Sequence, residues 1–157
     1  MLLNINSKVL DKLLSKVFPA VPSRTPLTIT ENFLFEVFDG KLIVTATDLH
    51  VTITSHINIE ATSDIRIVVP AKLLFEIVKS LDDTTIVFEI EENSRLSLKT
   101  EKGVYFIGYS SPEGFPKIPE VPNSRELTLE GKVLKKLIDQ TSFAISKDSI
   151  RPAMQGM

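Results

Sequence analysis

Cysteine and tryptophan are absent from this 157-residue sequence, histidine and tyrosine occur twice each, and glycine only six times. Without cysteine there is no disulfide, thiol nucleophile or cysteine-ligated zinc or iron–sulfur centre, which suits a reducing compartment. The glycines at 40, 103, 108, 114, 131 and 156 spell neither a P-loop nor a G-x-G-x-x-G turn. His50 and His56, six residues apart on a strand, would stand about 20 Å apart, too far to share a metal. Asp82-Asp83 has no further carboxylate at loop-like spacing for a cation. Ser110, Ser111 and Ser142 lack both a nucleophile elbow and a histidine placed to activate them. No catalytic residue, metal site or cofactor is therefore expected. Apolar runs such as Ile67-Val68-Val69 and Leu42-Ile43-Val44 fall far short of the ~20 residues that span a bilayer. Asn4 and Asn6 break the N-terminus before a signal-peptide core could form. These absences describe a cytoplasmic chain with no membrane segment.

What is present is enough for a real core. Hydrophobic residues make up 43% and charged residues 24%, and a chain of this length hides about 70% of its unfolded surface on folding. One pattern recurs three times: a short alternating strand, then an amphipathic helix of about ten residues. The copies are 3–6 leading into 8–17, 65–70 into 71–81, and 127–131 into 132–141. Lys8, Lys72 and Lys132 open the helices. The apolar stripes are Val9, Leu10, Leu13, Leu14 and Val17, then Leu73, Leu74, Ile77, Val78 and Leu81, then Val133, Leu134, Leu137 and Ile138. Ser7 and Pro70 suit helix starts.

Between the first two helices, Asp39-Gly40 predicts a tight hairpin turn joining 33–38 to 41–47. In the next strand Leu49, Val51, Ile53, Ile57 and Ile59 share one face and polar residues the other, so that the sheet is wet on one side. After the second helix come strands at 86–90, 95–100 and 104–109. The last is apolar on both faces, Val104 and Phe106 against Tyr105, Ile107 and Tyr109. One face belongs to the core; the other lies under a loop or in a protein–protein contact. Residues 111–126 hold Pro112, Pro116, Pro119 and Pro122 and read as an extended connector between domains. The strand and helix beyond it cannot bury their own apolar face, so the chain reads as one whole domain and the opening of a second.

The formal charge of −2 hides an asymmetry. The three helices carry eight lysines (8, 12, 16, 72, 79, 132, 135 and 136) against Asp11, Glu76 and Asp139, an excess of +5, while the remainder sums to −7. Lys8, Lys12 and Lys16 step by four along one side of their helix, and Lys72 and Lys79 lie two turns apart on theirs. Lysines on a single helix face do no more than solvate it; the same bias on repeated helices, in an otherwise acidic chain, suits a polyanion held through its phosphates without base reading. The inferred partner is the backbone of a nucleic-acid duplex.

Several segments look familiar. Thr25-Pro26-Leu27, Phe33 to Leu42 and Thr45-Ala46-Thr47-Asp48-Leu49, then Val69-Pro70-Ala71-Lys72, Glu76 to Leu81 and Phe115-Pro116-Lys117-Ile118-Pro119, resemble in order and spacing the bacterial sliding-clamp family, the β subunit of DNA polymerase III. The resemblance implies an α+β DNA-clamp fold, with antiparallel sheets outside and helices on the inner face of a two-protomer ring. Domain 1 would span 1–122, and 123–157 would begin domain 2. It makes the duplex double-stranded DNA, and implies a noncatalytic processivity factor with polymerase and clamp-loader subunits as partners and a homodimer as the full-length state. By the same resemblance Arg24, Lys72, Lys79 and Arg151 are DNA contacts, and Met154 edges a partner-peptide cleft. Tyr105, Ile107 and Tyr109 would form the outward apolar face of the subunit-interface strand. Asp148, Pro152 and Ala153 depart from the family's second DNA patch, and a carboxylate there repels phosphate. The alternative is a stand-alone α+β protein-interaction module without DNA encirclement. A hydrolase is disfavoured by the lack of any acid–base pair.

Overall fold

The structure, a computed structural model, describes residues 2–61, 63–91, 93–117, 127–146, 148 and 150–156. The chain forms two compact units, Met1–Ile118 and Pro119–Met157, which are described separately. Pro119, Pro122 and the expected boundary at 122/123 lie outside the described residues.

The first unit repeats strand, helix and three strands twice: β1 (Leu2–Asn6), α1 (Ser7–Val17), β2 (Asn32–Phe38), β3 (Lys41–Thr47) and β4 (Thr52–Asn58), then β5 (Ile65–Pro70), α2 (Ala71–Ser80), β6 (Thr85–Glu91), β7 (Arg95–Thr100) and β8 (Gly103–Gly108). The halves exchange their first strands. One antiparallel sheet runs β1-β6-β7-β8 and the other β4-β3-β2-β5, so each sheet takes three strands from one half and one from the other. Neither half can complete a sheet alone, and the pairing commits the two to fold together. An isolated bridge between Val68 and Ser110 joins the sheets where the chain leaves β8.

Local chemistry accounts for the elements. The β2–β3 turn places Asp39 at φ 48° and Gly40 at φ 67°, the double left-handed conformation that matches strand twist and favours Asp-Gly. The α1 cap is Asn6 rather than Ser7: its side chain accepts from the amides of Lys8 and Val9. Leu10, Leu13, Leu14 and Val17 of α1 and Ala71, Leu74 and Val78 of α2 are buried with Phe33, Phe88, Leu42, Ile86 and Leu96 in one core. Each such large side chain contributes roughly 1.5–3 kcal/mol by leaving water. Val9 and Leu73, expected in the apolar stripes, stay exposed, because each helix covers the sheets with a stripe narrower than its full apolar arc.

Three expectations need correction. In β8 the core-facing residue is Ile107, only 1% exposed, with Tyr105 and Tyr109 half-buried against the same core. The outward apolar residues are Val104 and Phe106, 48% and 58% exposed. The register decides this: Ile107 and Tyr105 lie opposite Leu96 and Leu98, whereas Phe106 and Val104 lie opposite Ser97 and Lys99, and opposed residues share a face. Second, the proline-rich segment does not simply leave the domain. Phe115 is buried with Leu34 and Val68, and Ile29 packs beside them, so residues 110–115 cover the outer face of β2 and β5. Third, Leu49 and Val51 are exposed, because the chain at 48–51 is a turn rather than strand.

In the second unit α3 (Gly131–Thr141) forms as expected, but residues 127–130 are not a strand. A strand exists only through a partner's hydrogen bonds, and none pairs with them among the described residues. Val133, Leu134, Leu137 and Ile138 remain between 40% and 49% exposed.

Candidate nucleic-acid interface

The two helices of the first unit touch each other, α1 resting on β3 and β4 and α2 on β2 and β5. With their apolar stripes turned to the sheets, Lys12, Lys16, Lys72 and Lys79 project from the opposite surfaces. None of these four forms an ion pair among the described residues. Three of the four strand lysines and arginines behave otherwise, Lys41 at the start of β3 having no ion pair among the described residues. Arg66 pairs with Glu36 at 2.8 Å and Arg95 with Glu91 at 3.1 Å, while Lys99 pairs with Glu89. The Lys99 ammonium beside Glu89 holds that carboxyl below its ordinary range. Three of the sheet cations are thus matched locally, whereas Lys12, Lys16, Lys72 and Lys79 on the α1/α2 surface are left over for an external anion. Lys8 is an exception, since its Nζ donates to the Leu81 carbonyl at 3.2 Å.

Arg24 is exposed in the loop between the 3-10 turns at Phe18–Ala20 and Thr28–Glu31. Its neighbour Ser23 and Lys72, in the first turn of α2, line one groove, so the fold brings together two segments 48 residues apart. Glu31, Glu76 and Glu113 line the same groove. An anion there meets a mixed field rather than a purely cationic one, a feature that counting on the α-helices alone misses because Glu31 and Glu113 lie outside them. Lys79, in the last turn of α2, lies with Nζ 5.7 Å from the Phe75 ring centroid. Phe75 in turn stacks on Phe18, centroids 4.4 Å apart and planes at 19°.

In the second unit Arg151 is exposed, and its Nε lies 3.6 Å from Asp148 Oδ2. Asp148 also accepts the Ile150 amide at 2.9 Å. Lys147 and Ser149 lie outside the described residues, as does the Pro152 side chain. Met154 is 58% exposed, and its amide donates to the Arg151 carbonyl at 2.9 Å. On α3, Lys135 pairs with Asp139 at 2.6 Å, so this helix does not leave all its lysines unpaired.

Among the described residues no group of three or more histidine, cysteine or carboxylate side chains could hold a metal. No helix there is long and apolar enough to cross a membrane. The backbone of Ser110 exchanges two hydrogen bonds with that of Val68.

Two exchanged strand–helix–three-strand halves, with Arg66, Arg95 and Lys99 matched on the sheets and Lys12, Lys16, Lys72 and Lys79 unmatched on the helices, define an α+β domain of the DNA-clamp class. Comparison with known proteins agrees. The profile of the family described as "DNA polymerase III beta subunit, N-terminal domain" matches residues 1–119, and the chain belongs to that family. It is 25% identical over 153 residues to the beta sliding clamp of Chlamydia pneumoniae and 30% identical over 154 residues to that of Pseudomonas putida. In each case 98% of this chain covers 42% of the relative. The crystal structure of DNA polymerase III subunit beta from Pseudomonas aeruginosa superposes with a TM-score of 0.92 at 33% identity, over 100% of this chain and 43% of that one. The Caulobacter crescentus pol III beta structure gives 0.87 at 27% identity, over 95% and 41%. This chain therefore spans about two-fifths of the length of the relatives it matches.

Proposed function

We propose that this chain is part of a DNA sliding clamp, a cytoplasmic, noncatalytic subunit that encircles duplex DNA and tethers the replicative polymerase to it. Residues 1–122 act as its first domain and 123–157 as the opening of the second. The observation that carries the reading is the division of charge: Arg66, Arg95 and Lys99 paired on the sheets, with Lys41 of β3 the unpaired sheet cation among the described residues, against unpaired Lys12, Lys16, Lys72 and Lys79 on two adjoining helices. Contacts of that kind hold phosphates and ignore sequence. Sliding needs a weak hold with topology preventing escape, and the three glutamates beside Lys72 keep it weak.

Arg24, Lys72 and Lys79 are the DNA contacts of the first unit and Arg151 that of the second, the latter weakened by Asp148. Strand β8, the last strand of its sheet, is the edge through which a homodimeric ring closes. Val104 and Phe106 form its outward apolar face, in place of Tyr105, Ile107 and Tyr109. Met154 edges the cleft that receives polymerase and clamp-loader peptides.

The test is topological. On nicked circular DNA, the ring-forming protein that contains this chain is retained, and linearising the DNA releases it. Substituting Lys72 and Lys79 by glutamate lowers the loaded amount. Equal retention on linear and circular DNA would remove encirclement and leave the protein-interaction module.

A further inference from the structure

Three aromatic rings form a column that leads from the core to the helix surface. Phe33 is fully buried on β2, Phe18 meets it edge-on with centroids 6.4 Å apart at 65°, and Phe75 on α2 stacks on Phe18 at 4.4 Å. Lys79, one turn further along α2, ends the column with its ammonium 5.7 Å from the Phe75 centroid. Among the described residues it is the one helix lysine with a ring beneath its charge, Arg95 over Phe106 being the other such cation. Lys12 and Lys16 are exposed with neither a ring contact nor an ion pair among the described residues.

We infer that Phe75, fixed by its stack on Phe18, is a positioning residue that pre-aims Lys79 at a backbone phosphate; the inference rests on the proposed DNA contact. A free lysine on a helix loses rotamer freedom when it meets a phosphate. One already held over a ring has lost part of it during folding. The ring's negative face also draws the ammonium without neutralising it, unlike a carboxylate partner such as Glu89 for Lys99. The column therefore orders the side chain while leaving its full charge to the ligand. Anchoring on Phe33 matters because Phe75 is only half-buried: a ring resting on solvent alone would swing with the lysine.

The test has two readouts on the 157-residue chain. Without DNA, NMR resonances of the Lys79 ε-methylene protons should lie upfield of those of Lys12, as the ring current over Phe75 requires. Phe75→Leu should return them to the Lys12 position, and Phe75→Tyr, which keeps the ring, should restore the shift. With a 30-base-pair duplex at low salt, Phe75→Leu should weaken binding by about two- to five-fold, measured well below its melting temperature, and should cost nothing further once Lys79 is glutamine. Lys79 resonances that coincide with those of Lys12, or additive effects of Phe75→Leu and Lys79→Gln, would overturn the inference. If Arg24→Gln, Lys72→Gln and Lys79→Gln all bind the duplex like the wild type, the DNA reading fails and the inference with it. An upfield Lys79 shift in that case separates the failed ligand from an intact column.

Discussion

The Ser7 hydroxyl donates to the Asp82 carbonyl at 2.7 Å and accepts the Thr84 amide at 3.1 Å, tying the first residue of α1 to the loop that follows α2. Ser7 is 1% exposed, and its own amide donates to the Thr84 carbonyl. The exchange of strands between halves is thereby fixed at its crossing point, since β1 ends and β6 begins here. Ser7→Ala should destabilise the first unit by about 1–3 kcal/mol, the penalty for leaving buried backbone groups without a partner. The check is the urea midpoint at unchanged m-value. A variant within 0.5 kcal/mol of the wild type, on the order of a neutral surface change, would mean that water replaces the hydroxyl.

Phe106 and Ile107 are neighbours with opposite fates. Ile107→Ala removes a fully buried side chain and should cost about 2–5 kcal/mol. Phe106→Ser, at a position 58% exposed, should leave the melting curve within the range of surface substitutions and reduce self-association of the ring-forming protein in sedimentation. If Phe106→Ser unfolds the domain while Ile107→Ala does not, the assignment of faces in β8 is inverted.

Acid should act on the turn after β3. Asp48 Oδ1 accepts the Val51 amide at 2.6 Å and the His50 amide at 2.9 Å, and these bonds, Val51 first, hold its carboxyl below the ordinary 3.8. A carboxyl depressed in the folded state stabilises fully above its unfolded value, and that contribution fades as pH falls through the folded one. The stability gap between wild type and Asp48→Ala should therefore be constant near neutral pH and close on the acid side of 3.8. Asp82, lowered by Lys102, titrates in both proteins and cancels in the difference. Urea midpoints across the acid range measure the gap; one that widens on acidification refutes the role given to the Asp48 carboxylate.

Much of this architecture is legible in the chain, and the exceptions share a cause. The Asp39-Gly40 hairpin, the helices at 7–17 and 71–80 and the alternation in β4 depend on local periodicity and turn chemistry, which neighbouring residues dictate. The sidedness of β8 depends on its partner, because both its faces are apolar. The clean alternation of Leu96 and Leu98 with Arg95, Ser97 and Lys99, carried across the 101–102 turn, held the missing signal. Phe115 escaped because prolines announce an extended chain without saying what its side chains cover. Of the candidate site, the lysine bias was visible as charge on helix faces. The Phe18–Phe75 stack and the approach of Glu31 and Glu113 to the Lys72 groove were not, since they join segments far apart in sequence.

The carboxylate of Asp148 weakens the phosphate contact proposed for Arg151 in the second unit, and removing it should strengthen that contact. At 3.6 Å from Arg151 it is a loose, exposed partner, the kind worth 0–1 kcal/mol, roughly, to stability, so replacing it should cost the fold little. Asparagine keeps an oxygen for the Ile150 amide that Asp148 Oδ1 now accepts. What changes is the field an incoming phosphate meets: a unit charge about 4 Å away in water is worth about 1 kcal/mol. Asp148→Asn should therefore tighten duplex binding by about two- to five-fold at low ionic strength, with the gain shrinking as salt rises. Arg151→Gln in the same background should erase the gain, which distinguishes an unmasked arginine from a general reduction in negative charge. Fluorescence anisotropy with a labelled duplex measures both; equal affinities for wild type and Asp148→Asn would show that Arg151 meets no phosphate.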